Sequence, residues 1–178
     1  MSVPLDIRDF AKLFRNFTRS AFRLETLDVY SVPEEKDSYQ RFLRGEAPPA
    51  SHNEEWCGLI RENIEAGKTM ERVHIVPSPL PPYLKFEIDW GYVHGIAAGE
   101  KVQLLERTQL PEEMSAMKDF WLFDDDTLVL MRYDEEGRFL GAELEREPKV
   151  VAQHVRVRAR LLSLSLPLEQ YLVKHRTA

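Results

Sequence analysis

The residue types best suited to chemistry lie in the segment "FEIDWGYVH". On an α-helix Glu87 and His94, seven residues apart, fall on one side, at the border of an apolar face made by Tyr83, Phe86, Trp90 and Val93. A carboxylate beside an imidazole, next to aromatic rings, can exchange a proton or line a small pocket, with Trp90 as a binding surface. With Asp89 or Asp124 as a further acid, this is the outline of a small hydrolase or nuclease. No nucleophile or metal set accompanies the pair, so a hydrogen-bonded pair at the edge of the core is the simpler reading, and no residue is assigned a catalytic role.

The acidic triplet Asp124-Asp125-Asp126 raises a metal question, because Mg²⁺ and Ca²⁺ prefer carboxylate oxygens. Adjacent residues point in different directions, and the alternating acidic pattern of a calcium loop is missing. Aspartate also favours turns, so the triplet reads as a reversal between strands and no metal or other cofactor is expected. A third candidate is the cationic stripe Arg8, Lys12, Arg15 and Arg19, which shares one side of a first helix. It suits a solvated face first, a protein contact second and nucleic acid last. Phosphate-loop, dinucleotide and nucleophile-elbow patterns are all missing.

Composition sets the frame. The chain has 178 residues, 43% hydrophobic and 30% charged, which suits a single globular domain over 1–178. The net charge of −6 disfavours direct nucleic-acid binding, and one cysteine excludes an internal disulfide. No apolar run approaches the roughly 20 residues of a membrane span, and the expectation is a cytoplasmic protein without a membrane partner.

The elements that must position these residues follow from periodicity. Ile7, Phe10, Phe14, Phe17 and Ala21 predict a helix from Asp6 to about Ser20. "FRLETLDVYSV" alternates as a strand, and a short helix is expected from about Glu34 to Leu43. Ser51 with Glu54 has the form of a capping box before a helix that stops at Gly67-Lys68. "MERVHIVP" and "KVQLLER" read as strands around a proline-initiated helix with Tyr83, Phe86, Trp90, Val93 and Ala97 inward. "DFWLF", "TLVLMRY" and "RFLGAEL" predict a three-stranded antiparallel meander, with Gly137 at its second reversal. A helix from Pro148 is broken or restarted at Pro167. Because the clearest strands are consecutive, the expected class is α+β: a mainly antiparallel sheet, including this C-terminal meander, with helices packed on it.

Several of these segments together resemble a family of uncharacterised actinobacterial proteins. They are "LETLDVYSV", "AGK", "FEIDWGY" and, most specifically, "DFWLFDD" followed by "YDEEGRFLGAEL". The resemblance runs from about Phe10 to Leu172. It implies a setting near helix-turn-helix regulators and small partner proteins, and it transfers no catalytic residue. The leading expectation is a non-enzymatic regulatory or adaptor protein that binds another protein; oligomeric state is left open.

Overall fold

The computed structural model describes residues 1–176. Its centre is strand β2 (Ser20–Glu25), flanked in one eight-stranded sheet by β5 (Phe120–Phe123) and β3 (Thr69–Val76). The other strands are β1 (Val3–Leu5), β4 (Lys101–Glu106), β6 (Thr127–Tyr133), β7 (Phe139–Glu145) and β8 (Leu166–Pro167), in the order β1-β7-β6-β5-β2-β3-β4-β8. β5, β6 and β7 form the expected antiparallel meander. The expectation of an α+β domain on a mainly antiparallel sheet is corrected, because β2-β3 and β3-β4 are parallel and the sheet is mixed.

The physical reason is in the connections. Between β2 and β3 run α2 (Lys36–Leu43) and α3 (Glu54–Glu65), and between β3 and β4 runs a helical segment from Pro82 to Ala98. Parallel neighbours need such crossovers, whereas antiparallel ones close with a turn. The alternation of strand and helix from residue 20 to 106 is therefore the parallel signal, and the more regular meander outweighed it.

Helices cover both faces. On one, α1 (Ile7–Asn16) and α3 pack Phe10, Phe14, Cys57 and Ile60 on Ala21, Met70, Trp121 and Phe123. On the other, α6 (Pro148–Leu164) places Val151 and Leu161 against Phe22, Leu24, Val73, Phe120 and Leu122. Trp121 and Phe123 thus face opposite to Phe120 and Leu122, as alternation requires. The final helix, α7 (Leu168–Arg176), adds Leu168 and Tyr171 to a third cluster beside the Pro82–Ala98 segment.

Three local expectations change. α1 ends at Asn16, and Ile7, at its first turn, is 61% exposed. Ser51 is not the cap of α3: the chain enters through Asn53 in a left-handed conformation (φ 55°), with no side-chain capping bond. The Pro82–Ala98 segment is not one regular α-helix: α4 (Pro82–Phe86) and α5 (Val93–Ala98) are joined by a π-helical stretch, Glu87–Tyr92. A π turn holds an extra residue and rotates everything after it, so Val93 and Ala97 face outward while Tyr92 and Ala98 are buried.

Candidate functional site

Between the two apolar clusters on the α1/α3 face of the sheet runs a polar seam. Alternation puts Arg23 and Glu25 of β2, and Arg72 and His74 of β3, on that face, with Arg23 level with Arg72 and Glu25 level with His74. All four are nearly or wholly buried; Arg23 is 3% exposed and His74 fully enclosed. Two arginines side by side in a protein interior require compensating charge.

The compensation comes from three carboxylates. Asp119, 2% exposed, accepts from Arg23 Nη2 (2.8 Å), Tyr30 OH (2.6 Å), Thr26 Oγ1 (2.7 Å) and Thr26 N (3.0 Å). Glu25 accepts from Arg72 Nη1 at 2.9 Å, and Glu100 from Arg72 Nε at 3.0 Å. Burial works against the charge on Glu25, but Arg72, His74 and Arg23 prevail and hold its carboxyl well below the usual range. For Glu100 burial prevails over Arg72 and raises it.

His74 completes the seam. Its Nε2 lies 2.8 Å from the carbonyl of Leu27, which can only accept, so Nε2 carries a proton. Its Nδ1 is 2.6 Å from the Tyr92 hydroxyl, which donates to Glu25 at 2.7 Å. One hydroxyl hydrogen cannot serve both neighbours, so with Tyr92 donating to Glu25 the Nδ1 contact needs a second ring proton. Burial opposes that by lowering the imidazole's pKa, while Glu25 favours it.

Above the seam the surface opens into a cleft of about 710 Å³. Its walls are the segment from Tyr30 to Glu35, the π-helical stretch with Glu87, Gly91 and Tyr92, and the β6–β7 reversal with Tyr133, Gly137, Arg138 and Phe139. Glu25, Arg72 and Glu100 reach it from the sheet, and Trp56 and Asn53 from the start of α3. This size lies in the range of small-molecule sites. Tyr83 donates to Glu35 at 3.1 Å and also stands against Glu87. Burial, then the charges of Glu35 and Glu25, push Glu87 up to about 8.

The residues singled out from sequence go to different places. Glu87 lines the cleft. Trp90 is buried and does not line it, its ring lying against Phe42, Phe86 and His52. Asp89 is exposed and lines a separate shallow pocket with Lys85 and Tyr171. His94 donates from Nδ1 to the carbonyl of Trp90 at 2.9 Å and faces His52. The π turn explains the divergence of Glu87 and His94, since seven residues return to one side only on a regular α-helix. In the cationic stripe Arg8, Lys12, Arg15 and Arg19 are all exposed. Lys12 pairs with Asp9, Arg15 with Glu62, and Arg19 bonds the carbonyl of Asp124.

The acidic triplet is the β5–β6 reversal, and its carboxylates turn to three different partners. Asp124, left-handed at φ 55°, accepts from the backbone N–H groups of Thr18, Arg19 and Ser20. Asp125 takes Arg158, and Asp126 takes Thr127. What sequence reasoning missed is the seam itself. Its signal was available: Arg23, Glu25, Arg72 and His74 are polar positions interleaved with Phe22, Leu24, Val73 and Ile75, in strands whose other face is core.

Fold and site together define an α/β domain with a polar cleft over a buried charged seam, and its fold resembles a phospholipase D-like fold. The fold likeness is to Nuc from Salmonella typhimurium, a phospholipase D family member: TM-score 0.50, 6% identity, covering 89% of this chain and 90% of that one. Phosphatidylserine synthase from Haemophilus influenzae Rd KW20 aligns with a TM-score of 0.45 and 14% identity, over 90% of this chain and 36% of that one. At 6% identity the likeness to Nuc is one of fold alone. No curated protein matches the sequence. Residues 8–173 match DUF6879, a domain of unknown function, and the chain belongs to that family.

Proposed function

We propose that this protein is a ligand-binding regulatory protein, taking a small molecule into the cleft and conveying its presence to another protein. The observation that carries this reading is the cleft, with a floor of paired buried charges and walls from three separate segments of chain. A ligand touching all three walls would change how they sit together, which is how occupancy reaches a surface. The "DFWLFDD" resemblance supplies the proposed setting: the actinobacterial cytosol, with a helix-turn-helix regulator as partner and no direct contact with DNA. The cationic stripe of α1 is the surface proposed for the partner, because it is exposed and lies away from the cleft walls.

Native mass spectrometry of protein purified gently from its host tests the reading. Gly91 lines the cleft, and a Cβ added there meets nothing closer than 3.9 Å, so Gly91→Leu places an apolar side chain in the cleft beside Glu87 and Asn53. A small-molecule adduct is expected on the wild type and not on Gly91→Leu. Identical spectra for the two would remove the cleft from consideration.

One observation favours a second reading, a hydrolase or nuclease. Glu87, pushed up to about 8, holds a proton at neutral pH, as a general acid must. The geometry puts Glu35, rather than His94 or Asp89, in its vicinity. On this reading Glu87→Gln abolishes turnover of an ester or phosphodiester substrate while leaving the melting curve cooperative. Unchanged turnover in that variant would dismiss it.

A further inference from the structure

Resting on the cleft reading, we propose that the ligand is an organic cation: an ammonium, guanidinium or quaternary ammonium group on a small apolar body. The cleft is lined by five carboxylates, Glu25, Glu34, Glu35, Glu87 and Glu100, against two guanidinium groups, Arg72 and Arg138. Both guanidinium groups are already doubly engaged. Arg72 holds Glu25 and Glu100, and Arg138 holds Asp134 at 2.6 Å and Glu136 at 2.9 Å. Among the described residues Glu34, Glu35 and Glu87 enter no ion pair. An anionic ligand would meet these carboxylates beside two guanidinium groups that already hold carboxylates, whereas a cation would be received by them and would draw the proton off Glu87.

The aromatic lining points the same way. Trp56, Tyr83, Tyr92 and Tyr133 offer rings to the cleft, and ring faces attract cations. The protein itself shows what this wall accepts: the guanidinium of Arg72 lies 5.3 Å from the centroid of Tyr92 while bonded to two carboxylates. A second position of like chemistry lies between Glu35, Glu87 and Tyr83. Gly91 leaves it open, since a Cβ there would stand 4.0 Å from Glu87 Oε2 and 3.9 Å from Asn53 Nδ2.

Proton linkage supplies a readout that a merely structural carboxyl would not give. Glu87 is faced by Glu25 and Glu35 from β2 and the segment after it, by Arg72 from β3, and by Tyr83 and Tyr92 from its own helix. A cation placed beside it favours the carboxylate, so binding below pH 8 should expel a proton and tighten as pH rises.

Calorimetry on the full chain at pH 7 would use four probes: benzylammonium, tetramethylammonium, benzoate and benzyl alcohol. The two cations are expected to bind at least about tenfold more tightly than the other two, a difference of about 1.4 kcal/mol. Gly91→Leu should abolish this binding. Glu35→Gln and Glu87→Gln, both checked for an unaltered cooperative melt, should each weaken it, and proton release should fall in Glu87→Gln. Benzoate binding as well as benzylammonium in a Gly91-dependent manner overturns the proposal but leaves the cleft reading standing. Cation binding indifferent to Gly91→Leu also overturns it. So does binding by none of the four, in which case the adduct in native spectra decides whether the cleft reading falls too.

Discussion

Asp119 is the residue on which the buried seam depends most, because its two oxygens collect four donors from Arg23, Thr26 and Tyr30. Asp119→Ala removes the carboxylate nearest the buried guanidinium of Arg23, leaving it Glu25 at 3.6 Å and the Tyr133 hydroxyl at 3.1 Å, and the expected cost is about 3 kcal/mol in urea unfolding. Asp125, exposed in the reversal and paired with Arg158, is expected to cost less than about 1 kcal/mol as Asp125→Asn. Two glutamates at the cleft pull stability in opposite directions with pH. The folded-state pKa of Glu25 is depressed, so its contribution is present above the unfolded value of about 4.3 and is lost as pH falls below it. That of Glu87 is raised to about 8, so its contribution is present below about 4.3 and is lost as pH rises through about 8. Melting temperatures of Glu87→Gln and wild type are therefore expected to diverge between pH 5 and pH 9, with the variant gaining relative to wild type at the alkaline end. Parallel curves would show that this carboxyl is not perturbed by its surroundings.

At the scale of elements, the β6–β7 reversal is clasped to the segment after β2. Gly137 has φ 76°, its carbonyl accepts from Ser31 N at 3.0 Å, and a Cβ on it would stand 2.3 Å from the carbonyl oxygen of Val29. Gly137→Ala therefore meets both a left-handed backbone and a backbone collision, at an expected cost of about 1–3 kcal/mol. Because this clasp forms one wall of the cleft, the same variant should weaken ligand binding, and thermal melts with calorimetry would read the two effects separately. The π-helical stretch is the other element that makes the site. It keeps Glu87 and Tyr92 at the cleft while sending His94 to the carbonyl of Trp90.

For the whole molecule, the sheet order puts β2, β3 and β5 at the centre and β1 and β8 at the edges. Hydrogen exchange should be slowest for amides of β2, β3 and β5 and fastest in β1 and β8, since opening the centre requires breaking the clusters on both faces. Comparable protection across the sheet would mean that the edges open only with the core. Occupancy of the cleft, which rests on β2 and β3, should slow exchange in the segment from Tyr30 to Glu35 and in Glu87–Tyr92.

The sequence alone determined what depends on near neighbours in the chain. The meander, the opposite facing of Trp121 and Phe120, the turn at Asp124 to Asp126 and the stop at Gly67 all follow from alternation or from backbone preferences of single residues. The segment "DFWLFDD" joins the carboxylate that pairs with Arg23 in the seam, four core side chains and the left-handed aspartates of the reversal. Parallel pairing was decided by tertiary structure, because β2, β3 and β4 meet only through crossovers that local periodicity does not orient. So was the site. Arg23, Arg72 and Asp119 come from distant parts of the chain and are tolerable in the interior only as an assembled set, while Glu87 and His94, apparently paired in the sequence, are separated by one turn of the wrong width.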